Sequence, residues 1–238
     1  MKVFIYNGSP RGEKSLGYQF AKRLEDNIKT KIPNAVINYF GADQLNIKEV
    51  DGSVQDFISG ETIFADDMTK IEKSMLESDY IVLISPVYAH NVSSQMKKLI
   101  DRLSYWLHIY RLIGKKGLVV SVSSDNGNET VNSYLTEMME YWGVYVIGET
   151  SIQGAKLNKE VGVLESYASV CAKRILLSIN ETDIEIPNRQ EENFQGQREK
   201  YLSSVYDSTE KSYWEENGFF EEETFRELFL KKMVEVHV

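Results

Sequence analysis

Short apolar runs alternate with stretches whose apolar residues recur every three to four positions, and this alternation leaves few folds open to the chain. Lys2–Tyr6, Ala35–Phe40, Tyr80–Ser85, Gly117–Val122 and Val144–Ile147 read as strands. Leu16, Phe20, Leu24 and Ile28 recur every four residues and give a helix with one apolar stripe. Asp66 can cap a second helix that runs to about Glu77. Met96, Leu99, Ile100, Leu103, Leu107 and Tyr110 mark a third, and Val131, Leu135, Met138, Met139 and Trp142 a fourth. Val161, Leu164, Ala168, Cys171, Ile175 and Ile179 mark a fifth. The run at Tyr80–Ser85 is almost continuously apolar, as a strand covered on both faces is. About five strands, each followed by a helix in roughly 180 residues, predict parallel βαβ units. Right-handed crossovers then place helices on both faces of a doubly wound open sheet.

Such sheets bind ligands beyond the carboxyl ends of their strands, where the strand order reverses. For a five-stranded parallel sheet in the order 2-1-3-4-5, that point lies between strands one and three. The loop leaving strand one, Asn7–Ser15, carries Gly8, Ser9, Arg11, Gly12 and Ser15 and runs into a helix that begins at Leu16. The first amides of a helix have no partner within it, and the helix dipole favours negative charge there. Arg11 adds a fork of donors suited to phosphate oxygens, and Ser9 and Ser15 add hydroxyls. The loop matches neither the triphosphate pattern Gly-x-x-x-x-Gly-Lys-Ser/Thr nor the dinucleotide pattern Gly-x-Gly-x-x-Gly. By itself it reads equally as an ordinary surface turn.

Composition removes several classes of function. The net charge of -9 argues against non-specific nucleic-acid binding. No stretch approaches the roughly 20 apolar residues of a membrane span, and no signal peptide is expected. Cys171 is the only cysteine, so no internal disulfide can form, in keeping with an expected cytoplasmic location. His90, His108 and His237 show no metal-ligand spacing.

Two segments break the alternation. Gly41–Ala65 is a long polar connection, of the kind that is usually functional or disordered. Residues 185–238 lie beyond the expected sheet domain of residues 1–184. From Glu191 onward they hold 12 acids and 6 bases, yet they are rich in aromatics, which disordered tails are not. Phe225, Leu228, Phe229 and Met233 share one helical face. Two helices separated by a turn at Asn217–Gly218 are expected, packed on the sheet domain or on a second subunit.

A second loop, Ser85–Lys97, leaves strand three for the next helix. Pro86 stiffens the strand exit, and the amides after it are expected to point outward toward a planar polar ligand. Tyr88 offers an aromatic face, and Asn91, Ser93 or Ser94 can cap the helix. The motifs Gly8-Ser9-Pro10-Arg11 with Ser15, and Ser85-Pro86-Val87-Tyr88 continuing through Ser93-Ser94-Gln95-Met96-Lys97 to Ile100-Asp101-Arg102, stand in one chain. With both, residues 1 to about 180 resemble the flavodoxin-like NAD(P)H-dependent FMN reductases and quinone reductases.

The resemblance implies a bound FMN. Its phosphate would meet Ser9, Arg11, Ser15 and the Leu16 amide, and its isoalloxazine ring would lie along Pro86, Val87, Tyr88 and Asn91. A third loop, Ser123–Asn128, would close over the ring through Ser123, Ser124 and Gly127, the glycine allowing close backbone approach. NADH or NADPH is implied as reductant, a small molecule as electron acceptor, and a homodimer or homotetramer as the assembly. The chain also looks like the iron–sulfur flavoprotein branch of this family. The approximate counterparts of that branch's cluster cysteines are Val50, Ser53, Asp56 and Thr62, which supply no thiolate, so no iron–sulfur cluster is expected.

Other residues have ordinary readings beside functional ones. Cys171 reads as a small core residue rather than a nucleophile. His90 reads as an exposed loop histidine that could meet a substrate or nicotinamide. Asp101 and Arg102 suit a surface or intersubunit ion pair. Tyr105 and Trp106 read as packing, and Asp66 and Asp67 as charges complementing a helix N-terminus. Three functions remain open: an FMN-dependent oxidoreductase acting on a quinone, nitro, azo or flavin acceptor, a flavodoxin-type electron carrier, and a non-catalytic binding protein on the same scaffold.

Overall fold

The computed structural model describes residues 1–157 and 162–235. Val161, assigned to a helix stripe, and His237 lie outside them. Five strands, β1 (Lys2–Asn7), β2 (Val36–Gly41), β3 (Tyr80–Pro86), β4 (Lys116–Ser123) and β5 (Tyr145–Gln153), form one parallel sheet in the order β2-β1-β3-β4-β5. The chain has the flavodoxin-like fold. The helices are α1 (Leu16–Lys31), α2 (Gln55–Ser59), α3 (Met68–Leu76), α4 (Ser94–Arg102), α5 (Asn128–Tyr141), α6 (Gly154–Leu157), α7 (Val163–Ser178), α8 (Asn188–Ser203), α9 (Thr209–Glu216) and α10 (Phe225–Glu235).

Alternation along β1 and β3 divides the apolar side chains between two cores. Val3, Ile5, Val82 and Ile84 pack against the stripe Phe20, Leu24 and Ile28 of α1 and against Ala168, Cys171 and Ile175 of α7. Phe4, Tyr6, Ile81 and Leu83 face α3, α4 and α5 through Met75, Leu99 and Leu135. Both faces are covered, so the central strands carry no polar alternation. Cys171 is fully buried in the first core, and burial pushes its thiol up from the ordinary range, as an inert packing residue requires.

Four elements differ from expectation. α4 stops at Arg102, so Leu107 and Tyr110, assigned to its stripe, lie beyond it after a single 3-10 turn at Ser104–Trp106. β5 continues to Gln153 rather than stopping at Ile147, because its ladder to β4 carries it through the polar stretch Glu149-Thr150-Ser151. The connection after β2 holds a one-turn helix, α2. The C-terminal segment forms three helices rather than two, since α8 is polar along most of its length and shows no apolar stripe. The expected turn does separate α9 from α10, with Gly218 at φ +68°.

This extension is held by aromatic packing. Phe194 stacks on Trp214 at 5.3 Å and 15°, and Tyr110 of the sheet domain tilts against both. Phe219, Phe225 and Phe229 complete the cluster, all buried. The Trp214 indole N–H donates to the His108 carbonyl at 2.9 Å, which satisfies the ring's one polar group.

Arg102 is neither a surface nor an intersubunit residue. It is 1% exposed, pairs with Asp66, donates to Thr62 Oγ1 at 2.6 Å and to the Lys48 carbonyl at 3.0 Å, and lies 4.4 Å from the Phe64 ring centre. The stem of α4 thus fastens the long connection from inside. Asp66 also accepts from the Met68 amide at 3.0 Å and so satisfies the first amide of α3, although the N-cap position is Asp67 rather than Asp66. Asp101 turns outward and pairs with Lys97.

Candidate functional site

At the reversal of strand order, between the carboxyl ends of β1 and β3, lies an open cleft of about 660 Å³ counted out to solvent. Three loops build it. The first supplies Ser9, Arg11, Ser15 and Leu16, the second Pro86, Val87 and Tyr88, and the third Ser123 and Ser124. Nine residues singled out in the sequence therefore converge on one surface.

The first loop is shaped by a residue the sequence reading passed over. Asn7 is fully buried at the end of β1. Its Oδ1 accepts from the Ser9 amide at 3.2 Å, and its Nδ2 donates to Ser15 Oγ at 3.2 Å and to the Tyr39 hydroxyl at 2.9 Å. Ser9 Oγ in turn accepts from the Arg11 amide at 3.3 Å. A buried amide side chain has its donors and acceptor satisfied here by folding the loop around it. The only available signal was an asparagine ending an apolar strand. Gly17, Val122 and Gly154 also line the cleft and were likewise passed over. A Cβ at Gly17 would lie 2.8 Å from Asn7 Oδ1, so glycine lets the helix start press against the strand end.

Ser15 does not serve as an outward hydroxyl donor. It is the N-cap of α1, where its Oγ accepts from the Tyr18 amide at 3.1 Å and gives its proton to the Gly12 carbonyl at 2.7 Å. The donors left for an anion are the Ser9 hydroxyl, which accepts from the Arg11 amide but gives its proton to no acceptor among the described residues, the amides of Leu16 and Gly17, which likewise have none, and the Arg11 guanidinium, which is in no ion pair among them. α1 has 16 residues and no acid in its first turn, so the dipole at this end is not cancelled. This set fits a phosphate.

The second loop also differs from expectation. The Val87 amide donates to the Val122 carbonyl at 2.8 Å, and the Tyr88 amide to the Asn91 carbonyl at 2.9 Å. Neither points outward. β3 keeps its pairing with β4 past Pro86, and a tight turn then consumes the next donor. What faces the cleft is the stiff, flat surface of Pro86, Val87 and the half-exposed Tyr88 ring. Asn91 is not on the wall, because its backbone closes the turn and its Oδ1 accepts from the Val92 amide at 2.8 Å. Ser93 caps α4, accepting from Met96 at 3.1 Å, and donates to the Gly8 carbonyl at 2.6 Å, which ties the first two loops together.

In the third loop, Ser123 gives its proton to Asn128 Oδ1 at 2.6 Å, while Ser124 is exposed at the rim. Gly127 has φ +81°, but it is not among the residues that line the cleft. A Cβ there would lie 2.7 Å from Val87 Cγ1 and 3.2 Å from His90 Nδ1, so the glycine makes room for the second loop rather than for a ligand.

The model of the NADPH-dependent FMN reductases matches residues 1–156, which carry all three loops. The chain belongs to that family. It is thereby placed among flavin-dependent oxidoreductases. An iron–sulfur flavoprotein of Archaeoglobus fulgidus is 38% identical over 90 residues, 37% of this chain and 41% of that protein. One of Clostridioides difficile is 27% identical over 185 residues, 76% of this chain and 80% of that protein. The chain thus spans well under half the length of the first relative and most of the second. Among solved structures, an FMN-dependent NADH-azoreductase from Bacillus anthracis in complex with FMN superposes with a TM-score of 0.56 at 16% identity, covering 74% of this chain and 99% of that one, a likeness of fold.

The residues of this family member do not fit an iron–sulfur cluster. Its one thiol is buried under α7, on the other face of the sheet from the long connection. Of the cluster-cysteine counterparts, Thr62 is bound to Arg102, and Asp56 accepts from the Ile63 amide at 2.9 Å. No group of three or more possible metal ligands occurs among the described residues.

Proposed function

We propose that the chain is an FMN-dependent NAD(P)H oxidoreductase that passes electrons to a small organic acceptor of the quinone, nitro, azo or flavin class. The observation that carries this reading is the pairing, in one cleft, of an anion cradle at the start of α1 with a flat wall at Pro86–Tyr88. FMN, when bound, supplies hydride transfer at its ring, and the protein has only to hold and orient it. Arg11 with the Leu16 and Gly17 amides anchors the phosphate. Asn7 keeps the loop that carries Ser9 and Arg11 in shape. Val87 and Tyr88 set the plane of the ring, and Ser124 borders it. With Cys171 as its one thiol, buried on α7, the chain offers no thiolate set for an iron–sulfur cluster.

The reading also includes a homo-oligomer. Val50, Val54, Ile58 and Ile63 are 44–60% exposed on the connection between β2 and α3, which favours burial against a second copy.

Anaerobic titration of the FMN-loaded protein with NADH and with NADPH tests the function. Bleaching of the flavin band by either nicotinamide, and its return on adding a quinone, is expected. A loaded protein that neither nicotinamide reduces would count against an oxidoreductase and in favour of a carrier.

A further inference from the structure

The turn that closes the flat wall is built against its own stereochemistry. Tyr88 and Asn91 exchange both backbone hydrogen bonds, at 2.9 and 3.0 Å, so Ala89 and His90 are the two central residues of a tight hairpin. Both have left-handed backbones, at φ +49° and +59°. Tyr110 is the only other non-glycine residue with positive φ among the described residues. A two-residue turn of this hand is the place for Asn-Gly, and L-residues with a full side chain are disfavoured there. Strain of this kind persists where the surroundings over-determine it, and it clusters at functional sites.

The surroundings here are specific. Gly127 presents its bare face to both Val87 and the His90 ring. His90 therefore lies alongside Val87, a wall of the cleft, and is exposed to solvent. No hydrogen bond or ion pair among the described residues ties up its imidazole. The charged or titratable groups on the segments around it are Tyr88 in its own turn, Asp125 and Glu129 on either side of Gly127, and Arg11 across the cleft. Among these, the imidazole carries two ring nitrogens, so it can give a proton from one and take one up from water. Reduction of a quinone is assisted by such a group, because the carbonyl that accepts electrons must also take up a proton.

We propose that the strained Ala89–His90 turn holds the exposed His90 beside Val87, at the edge of the flat wall, as the proton donor to a carbonyl-bearing acceptor. This rests on the oxidoreductase reading above. The quinone receives a hydride, two electrons and one proton, from the nicotinamide-reduced cofactor. His90 supplies the second proton from a ring nitrogen to the carbonyl oxygen, the carbonyl π bond becomes an O–H bond, and the imidazole is reprotonated by water. The acceptor class is therefore quinones and other carbonyl-bearing oxidants, whose oxygen must be protonated on reduction.

The test uses the full-length FMN-loaded protein and the variants His90→Gln and His90→Gly. The glycine variant relieves the turn, so it guards against loss of fold. Turnover is measured with NADH and either duroquinone, which takes up protons, or ferricyanide, which takes up electrons only. Both variants are expected to lose about 100-fold in duroquinone turnover, the usual scale of general acid catalysis, and to keep ferricyanide turnover. Added imidazole is expected to restore part of the loss in His90→Gly. A readout without turnover accompanies these. The ring resonance of 13C-labelled histidine that is absent from His90→Gln is expected to move when durohydroquinone is added to the oxidised protein. Duroquinone turnover equal to wild type, an equal fall with both acceptors, or an unmoved resonance would overturn the role of His90 and leave the oxidoreductase reading intact. A wild-type protein that oxidises no NADH or NADPH would overturn both.

Discussion

Arg102 and Asp66 form an ion pair from which solvent is excluded on both sides, each side chain being 0% exposed. Hydrogen bonds to Asp66 from the Lys48 and Met68 amides and the Phe64 ring over the guanidinium complete the enclosure. Burial pushes the Asp66 carboxyl up, but the Arg102 hydrogen bond, the two amides and the Arg102 charge together hold it below its usual range. Arg102→Leu would leave a buried carboxylate without its cation. The expected cost is about 3–5 kcal/mol, read from urea denaturation. The connection between β2 and α3 should also become sensitive to limited proteolysis. Unchanged stability would show that the pair is dispensable.

Glu72 gives a pH dependence of known sign. It is nearly buried in α3, accepts the Tyr105 hydroxyl at 2.9 Å, and has its pKa pushed up to about 7 by burial. The folded protein thus keeps a proton that the unfolded chain releases above the ordinary carboxylate pKa. Its stabilising contribution is full below about 4.5 and is lost as pH rises through about 7. The loss is about 3 kcal/mol. Glu72→Gln should be more stable than wild type at pH 8 and show a flatter profile between those pH values, as measured by thermal unfolding.

Arg11→Ala should fold normally, because the side chain is exposed and in no ion pair among the described residues. It should weaken FMN binding about 10- to 100-fold, the worth of one charge-assisted contact to phosphate. Quenching of flavin fluorescence measures this.

Trp214→Ala should remove the centre of the aromatic cluster that holds the extension. A cost of about 3–5 kcal/mol is expected. Tyr110, Phe194 and Phe225 should gain exposure, visible as loss of near-ultraviolet circular dichroism.

Much of the fold was legible because it rests on apolar spacing, which sequence shows directly. The stripes of α1 and α7 and the runs of β1 and β3 are of this kind. β5 was read short because hydrogen bonding, not side-chain apolarity, carries its second half. α8 was missed because Phe194 and Tyr201, its buried aromatics, are seven residues apart in an otherwise polar helix. At the cleft, the residue types at the loops were legible, but their bonding was not. The amides of Val87 and Tyr88, the hydroxyl of Ser15 and the face of Gly127 are each committed to neighbours distant in sequence or to a turn whose closure no motif announces. Asn7 was overlooked for the same reason, since its partners Ser15 and Tyr39 meet only after β1 and β2 have paired. Arg102 looked like a surface charge because its partner Asp66 is 36 residues away.

The most direct measurement is an equilibrium titration of the purified full chain with FMN, followed by visible absorbance and flavin fluorescence. The cleft at the β1–β3 reversal predicts saturable binding near one FMN per chain, weakened by Arg11→Ala. A wild-type protein that leaves the flavin spectrum unchanged at millimolar FMN would contradict the assignment of this cleft, and with it the proposed function.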